Sequence, residues 1–162
     1  MDTKKFIVRG YVESDRNFIF SSWLNGLLHG TKSTSPESVI DENKNPVSPD
    51  LVKFIYKKKI NWFEEMSHDV FYKGYHKVIE RILAHPETKV KVACLQDVED
   101  VILGYAILGP EMLHWVFVKE SWRQMGIAKA IVAGDIITKC THLTKQGKFF
   151  RHKYKLVFDP FF

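Results

Sequence analysis

The chain has 162 residues, 45% apolar, 14% aromatic and 27% charged, a composition that excludes intrinsic disorder and suits one packed domain spanning 1–162. Its net charge of +5 calls for an anionic partner, a demand that a multiply negative cofactor meets as well as nucleic acid does. No apolar run approaches the ~20 residues of a membrane-spanning helix, and the start, Met1 to Lys5, does not lead into a signal-peptide core, so a cytoplasmic protein without a membrane partner is expected.

Lys5 to Val12 has the β-branched and aromatic character of a strand. Ser14 or Asp15 can cap a helix whose apolar positions, Phe18, Ile19, Trp23, Leu24, Leu27 and Leu28, share one face, with Gly30 as a stop. Residues 31–50 hold three prolines and little periodicity, which reads as a long loop and a candidate substrate lid. From Pro49 the pattern Leu51, Val52, Ile55, Trp62, Phe63, Met66 gives one or two helices, and a clearer helix runs from about Asp69 to Ala84, where His85-Pro86 ends it.

Three strands joined by short turns follow: Lys89–Leu95, Val101–Leu108 and Glu111–Val118, an antiparallel meander. A helix is expected from Gly126 or Ile127 to about Thr138, then strands at Lys139–Leu143 and Tyr154–Phe158. The order predicts an α/β (α+β) fold, helices flanking a mixed sheet. Cys94 and Cys140 both sit in apolar stretches and read as buried free thiols. The histidines show no metal-ligand spacing, so no metal is implied.

The informative stretch runs from Val116 to Ile131. A buried strand ends at Val118, a polar loop follows, and a helix starts at Gly126. The first turn of a helix offers unpaired amides and the positive end of its dipole, which attract phosphate. Gly126 and Ala128 leave room for an anion to approach the backbone, and Arg123 and Lys129 add positive charge. The Walker-type and dinucleotide-type glycine patterns are both missing from the sequence.

Arg123-Gln124-Met125-Gly126-Ile127-Ala128, following a strand meander, resembles the pyrophosphate-binding motif of the GNAT acyl-CoA N-acyltransferase superfamily, a Gln or Arg, two residues, Gly, one residue, then Gly or Ala. The likeness covers about residues 87–140. It implies a GNAT-like, mainly antiparallel central sheet and acetyl-CoA as acyl donor. It further implies that the amides of residues 124–129, from Gln124 to Lys129, hold the CoA pyrophosphate. Phe117 and Val118 would pair with the pantetheine arm and hold the acyl carbonyl. The acyl group would pass to an amine by direct attack, since neither cysteine lies in the motif.

Acyl transfer to an amine needs a base. His114, given the alternation of Met112, Val116 and Val118, is the first candidate, because imidazole titrates near working pH. Glu111, at the start of the same strand, is the second. In the family a tyrosine after the fifth strand often protonates the leaving thiolate. Here Thr144 to Tyr154 is short and basic with no clear helix, and Tyr154 is the nearest equivalent, with His142 comparable.

The acceptor amine, on a small molecule, a protein or a nucleic acid, is not named by the sequence, and a homodimer is left open. Two other readings stay open beside the transferase. Lys53, Lys57, Lys58, Lys59 and the basic stretch from Lys145 to Lys155, interleaved with aromatics, have the composition of a nucleic-acid surface, as in a phage Mom-type DNA-modifying relative. The fold could also serve as a non-catalytic interaction module.

Overall fold

The structure, a computed structural model, describes residues 6–31 and 65–161. The long loop expected at 31–50 lies outside them except for Thr31, which belongs to a helix, and the helix pattern around Trp62 lies outside them. Six strands form one sheet in sequence order, β1 (Phe6–Gly10), β2 (Lys89–Leu95), β3 (Ile102–Gly109), β4 (Met112–Val118), β5 (Lys139–Cys140) and β6 (Val157–Phe158). The pairings from β1 through β4 are antiparallel, and β5 and β6 are each parallel to the strand before them. The fold is thus a mixed, mostly antiparallel sheet flanked by helices, as the element order predicts.

Strand alternation divides the core in two. On one face α1 (Arg16–Thr31) and α2 (His68–Ala84) pack Ile19, Trp23, Phe71 and Ile79 against Val92, Tyr105, Ile107 and Trp115. On the other, α3 (Ile127–Ile131) sets Ile127 and Ile131 on Ala93, Leu103, Ala106 and Leu108, with Phe150 and Tyr154 of α4 (Lys145–Tyr154) alongside. Both cysteines are buried and free. Among the described residues no helix is long and apolar enough to cross a membrane, and no cluster of three or more His, Cys, Asp or Glu side chains could hold a metal.

Polar anchors fix α1 on the sheet. The Tyr105 phenol donates to the Ile19 carbonyl (3.1 Å) and meets the Ser22 hydroxyl at 2.9 Å. Asp15 does not cap α1 as expected. Its carboxylate turns back toward β1, accepting both terminal nitrogens of Arg9 (2.7 and 2.9 Å) and the Val12 amide (3.0 Å). α1 then begins at Arg16 after a short 3-10 turn and continues past Gly30 to Thr31. α2 starts at its Ser67 cap and ends at His85, where ψ of 130° leaves the helical region ahead of Pro86.

Four elements depart from the sequence expectation. α3 has five residues and gives way to turns after Ile131, well short of Thr138. β5 and β6 are two residues each, shorter than the stretches that predict them. Thr144 to Tyr154, read as lacking a helix, forms α4: the Thr144 hydroxyl accepts the Gly147 amide (3.0 Å), and Arg151, His152 and Lys153 complement the carbonyl end.

Candidate active site

β4 carries the site. At its start the Thr138 and Lys139 amides donate to the Glu111 carbonyl (2.9 and 3.1 Å) and the Thr141 amide to that of Leu113 (3.1 Å). The register between β4 and β5 ends at Leu113 and Cys140. On the β3 side, pairing passes from Leu108–Leu113 to Ile107–Trp115, so His114 is an extra residue, a β-bulge.

The bulge bends β4 and inverts its alternation. Leu113, Val116 and Val118 pack toward α3, whereas Trp115 and Phe117 pack toward α1 and α2. Simple alternation puts His114 in one series with Val116 and Val118; the extra residue breaks that series, a correction that only register reveals.

Beyond the bulge β4 and β5 part. The Lys119 amide donates to the Leu103 carbonyl (2.8 Å), so alternation along the antiparallel ladder turns the main-chain groups of Val116 and Val118 away from β3, into the gap. The Val118 carbonyl accepts Arg123 Nε at 3.2 Å. A cavity of about 430 Å³ occupies the gap. Its lining takes in β4 from Leu113 to Val118, Arg123 and Ala128, Gly26 and His29 of α1, and Phe150 and Arg151 of α4.

The loop entering α3 has the main-chain character an anion needs. Among the described residues none of the amides from Gln124 to Lys129 has a hydrogen-bond partner; the first bonded amide is Ala130, to the Gly126 carbonyl at 2.9 Å. Gln124 (φ 65°) and Gly126 (φ 80°) are left-handed, a backbone bend that points successive amides to one concave side. Gly126 is exposed, with nothing within 4 Å of where a Cβ would stand. Because α3 is so short, the loop's amides matter here more than a long helix's dipole.

Of the sequence-predicted residues, His114, Phe117, Val118, Arg123 and Ala128 line the cavity. Gln124, Met125 and Gly126 lie on the exposed loop entering α3, Lys129 is exposed within α3, and Ile127 is buried. Glu111 does not line the cavity: it sits in the turn before β4 with φ 55° and an exposed side chain. Tyr154 is also outside the lining, stacked on Phe150 at 4.3 Å between ring centres, and Phe150 takes the cavity wall instead.

The lining also holds Cys140, which the sequence reading treats only as a buried thiol, and His142, which it names as a candidate beside Tyr154. Cys140 lines the cavity, and burial raises its thiol's pKa, with Arg151 opposing, so it stays protonated. His142 lines it too, edge-on to Trp23 (5.6 Å) and Trp115 (6.2 Å). Burial lowers His142 to about 4, helped by the neighbouring His114; His114 is itself lowered to about 4 by burial and by His85. Both rings are therefore neutral at pH 7 and able to accept a proton. For α4, a capping Thr144 and the i,i+4 pair Phe150–Tyr154 are the signals that could have found it.

No protein-family model matches the sequence, and no curated protein sequence does. In three dimensions the chain is similar to a Pyrococcus furiosus protein provisionally described as an acetyl transferase, with a TM-score of 0.54 and 10% identity over 92% of this chain and 91% of that one. More distant are a ribosomal-protein-alanine N-acetyltransferase from Brucella melitensis biovar Abortus 2308 (TM-score 0.47, 12% identity, 96% and 90% covered) and a glucosamine-6-phosphate N-acetyltransferase from Arabidopsis thaliana (0.44, 12%, 96% and 93%). At such identities the first likeness establishes a shared fold.

Proposed function

We propose that this chain is a single-domain acyl-CoA-dependent N-acyltransferase that moves an acetyl group from acetyl-CoA to an amine by direct attack. The observation that carries the reading is the parting of β4 and β5 beside a loop of six unpartnered amides. One feature suits an extended amide-bearing arm and the other a diphosphate, and they meet at one cavity.

Acetyl-CoA as co-substrate supplies the activated thioester carbonyl; the protein's groups supply the rest. The amides of Gln124 to Lys129, with Arg123, hold the diphosphate. The outward main-chain groups of Val116 and Val118 pair with the pantetheine amides and orient the carbonyl, with Phe117 packed beneath. The amine nitrogen bonds to the carbonyl carbon as the carbon–sulfur bond breaks and CoA departs as its thiolate, and the amine proton passes to the His114 imidazole. Cys140, kept as a thiol, takes no part as a nucleophile.

The test is ligand-dependent stabilisation. Acetyl-CoA at a hundredfold its Kd should stabilise the fold by about 2.7 kcal/mol, and thiol release should appear with an accepted amine. No thermal shift at millimolar acetyl-CoA would overturn the reading.

A second reading, nucleic-acid binding, draws on α4, where Phe149 is 79% exposed among the exposed Lys148, His152 and Lys153. Salt-sensitive binding of a DNA or RNA oligonucleotide would support it; no binding at low salt removes it.

A further inference from the structure

Arg9 and Arg16 each meet a carboxylate, at 2.7 and 3.2 Å. Arg123 and Arg151 instead donate Nε to a main-chain carbonyl, that of Val118 at 3.2 Å and that of Leu156 at 3.1 Å. Among the described residues neither has a carboxylate partner, and both line the cavity. A guanidinium has five N–H donors, so each side chain is hooked in place and keeps its terminal donors for a ligand.

The two belong to different parts of the site. Arg123 lies in the loop after β4, bonded to that strand's last residue. Arg151 lies on α4, bonded to Leu156, which packs in one apolar cluster with Leu113 and Cys140. Leu113 and Cys140 are the last pair in the β4–β5 register, the closed end of the gap. The Arg151 guanidinium also favours the Cys140 thiolate, against the burial that raises that thiol's pKa. A sulfur anion at the closed end is therefore met by a fixed positive charge.

Under the acyl-transfer reading the donor lays its diphosphate at Gln124–Lys129 and its arm along Val118 and Val116, which brings the thioester toward Leu113 and Cys140. As the carbon–sulfur bond breaks, the sulfur needs a group to answer its charge. Tyr154 lies outside the lining, stacked on Phe150.

We propose that Arg151 is a catalytic residue that stabilises the departing thiolate of the acyl donor, as a fixed cation rather than as an acid. The proposal rests on the acyl-transfer reading and deepens it. The amine lone pair forms the carbon–nitrogen bond, the carbon–sulfur pair leaves on sulfur, and the guanidinium keeps all its protons. One proton goes from the amine to the base and one negative charge to the sulfur, so the charges balance. The thioester sulfur is uncharged until the bond breaks, so the cation acts on the transition state more than on the bound donor.

The other titratable groups on the lining are His29 of α1, His114 of β4, Cys140 of β5 and His142 just after it. The test titrates CoA itself, the product with a free thiol, bound to the protein and followed by thiolate absorbance in the ultraviolet. The complex with desulfo-CoA, which lacks the sulfur, supplies the blank for Cys94 and Cys140. The bound thiol should ionise about tenfold more readily than that of free CoA, the low end for an adjacent cation because Arg151 is exposed. Arg151→Gln removes the charge but keeps an N–H for the Leu156 carbonyl, and should lose that gain; Arg151→Lys should retain most of it. An equal ionisation constant in the wild type and Arg151→Gln would overturn the proposal. So would a wild-type complex whose thiol ionises no more readily than free CoA, a readout that stands even if a variant does not fold. A protein that CoA fails to stabilise against heat would instead overturn the transferase reading, and this proposal with it.

Discussion

The Thr141 amide donates to the Leu113 carbonyl at 3.1 Å, one residue before the bulge at His114. That bond marks where β4 and β5 stop being neighbours, and the residue that makes it also carries the hydroxyl between the two imidazoles. The opening of the sheet and the contact between the two buried histidines are thus products of the same few residues.

Gly126→Val tests the loop. A left-handed φ of 80° suits glycine and costs a β-branched residue about 1–2 kcal/mol, although no neighbour obstructs the side chain. The loop should rearrange while the buried core beneath Ile127 persists. Calorimetry should show acetyl-CoA affinity at least ~10-fold weaker, about 1.4 kcal/mol, with a melting temperature lowered by only a few degrees.

Acid should destabilise the fold through its histidines. Burial holds His114 and His142 at about 4 in the folded state, against about 6.5 when unfolded. Between those values the unfolded chain binds more protons, so the stability from keeping these rings neutral is complete above pH 6.5 and drains away as pH falls toward 4. Thermal melts from pH 7 to 4 should show a falling Tm, with a shallower slope in a His114→Gln, His142→Gln double variant.

Asp15→Asn tests the β1 anchor. The carboxylate is 2% exposed and the Arg9 side chain 15%, so the substitution takes the nearer counter-charge from a largely buried cation and leaves it the exposed Glu99, 3.8 Å from its Nε. The expected loss is about 3 kcal/mol, measured by urea unfolding. The Arg9 hydrogen bonds hold the carboxyl below its ordinary range, so this contribution is present at neutral pH and fades only as pH falls below 3.8.

Two glycines should respond with opposite sign. A Cβ at Gly104 would stand 2.5 Å from the Phe117 main-chain oxygen, so Gly104→Ala must push β3 from β4 and should cost on the order of 2–3 kcal/mol. Gly74 is exposed within α2 with nothing within 4 Å, and Gly74→Ala should stabilise by about 1 kcal/mol. Parallel denaturation curves check both.

The sequence made the meander legible because its strands alternate and its turns are short: β2 is found at Lys89–Leu95, and β3 and β4 begin one residue after their expected starts. α2 was legible through its apolar period and His85-Pro86. The bulge was not, because an extra residue leaves no mark on composition and shows only as a change of partner from Leu113 to Trp115. β5 and β6, at two residues each, are too short to display a period, and in α4 the run of cations masked the cap at Thr144 and the Phe150–Tyr154 pair. The candidate anion loop was visible as residue types; its unbonded amides and left-handed turns needed coordinates.

The unequal strand lengths give the cavity one stiff jaw and one yielding jaw. Seven- and eight-residue ladders lock β4 to its meander, whereas β5, α4 and β6 hang on brief parallel pairings. Amide exchange should therefore be slow at Tyr105 and Ile107 and fast at Cys140 and Phe158. If the acyl-transfer reading holds, the wall proposed to orient the thioester is the stiff one and the wall proposed to face the acceptor the yielding one.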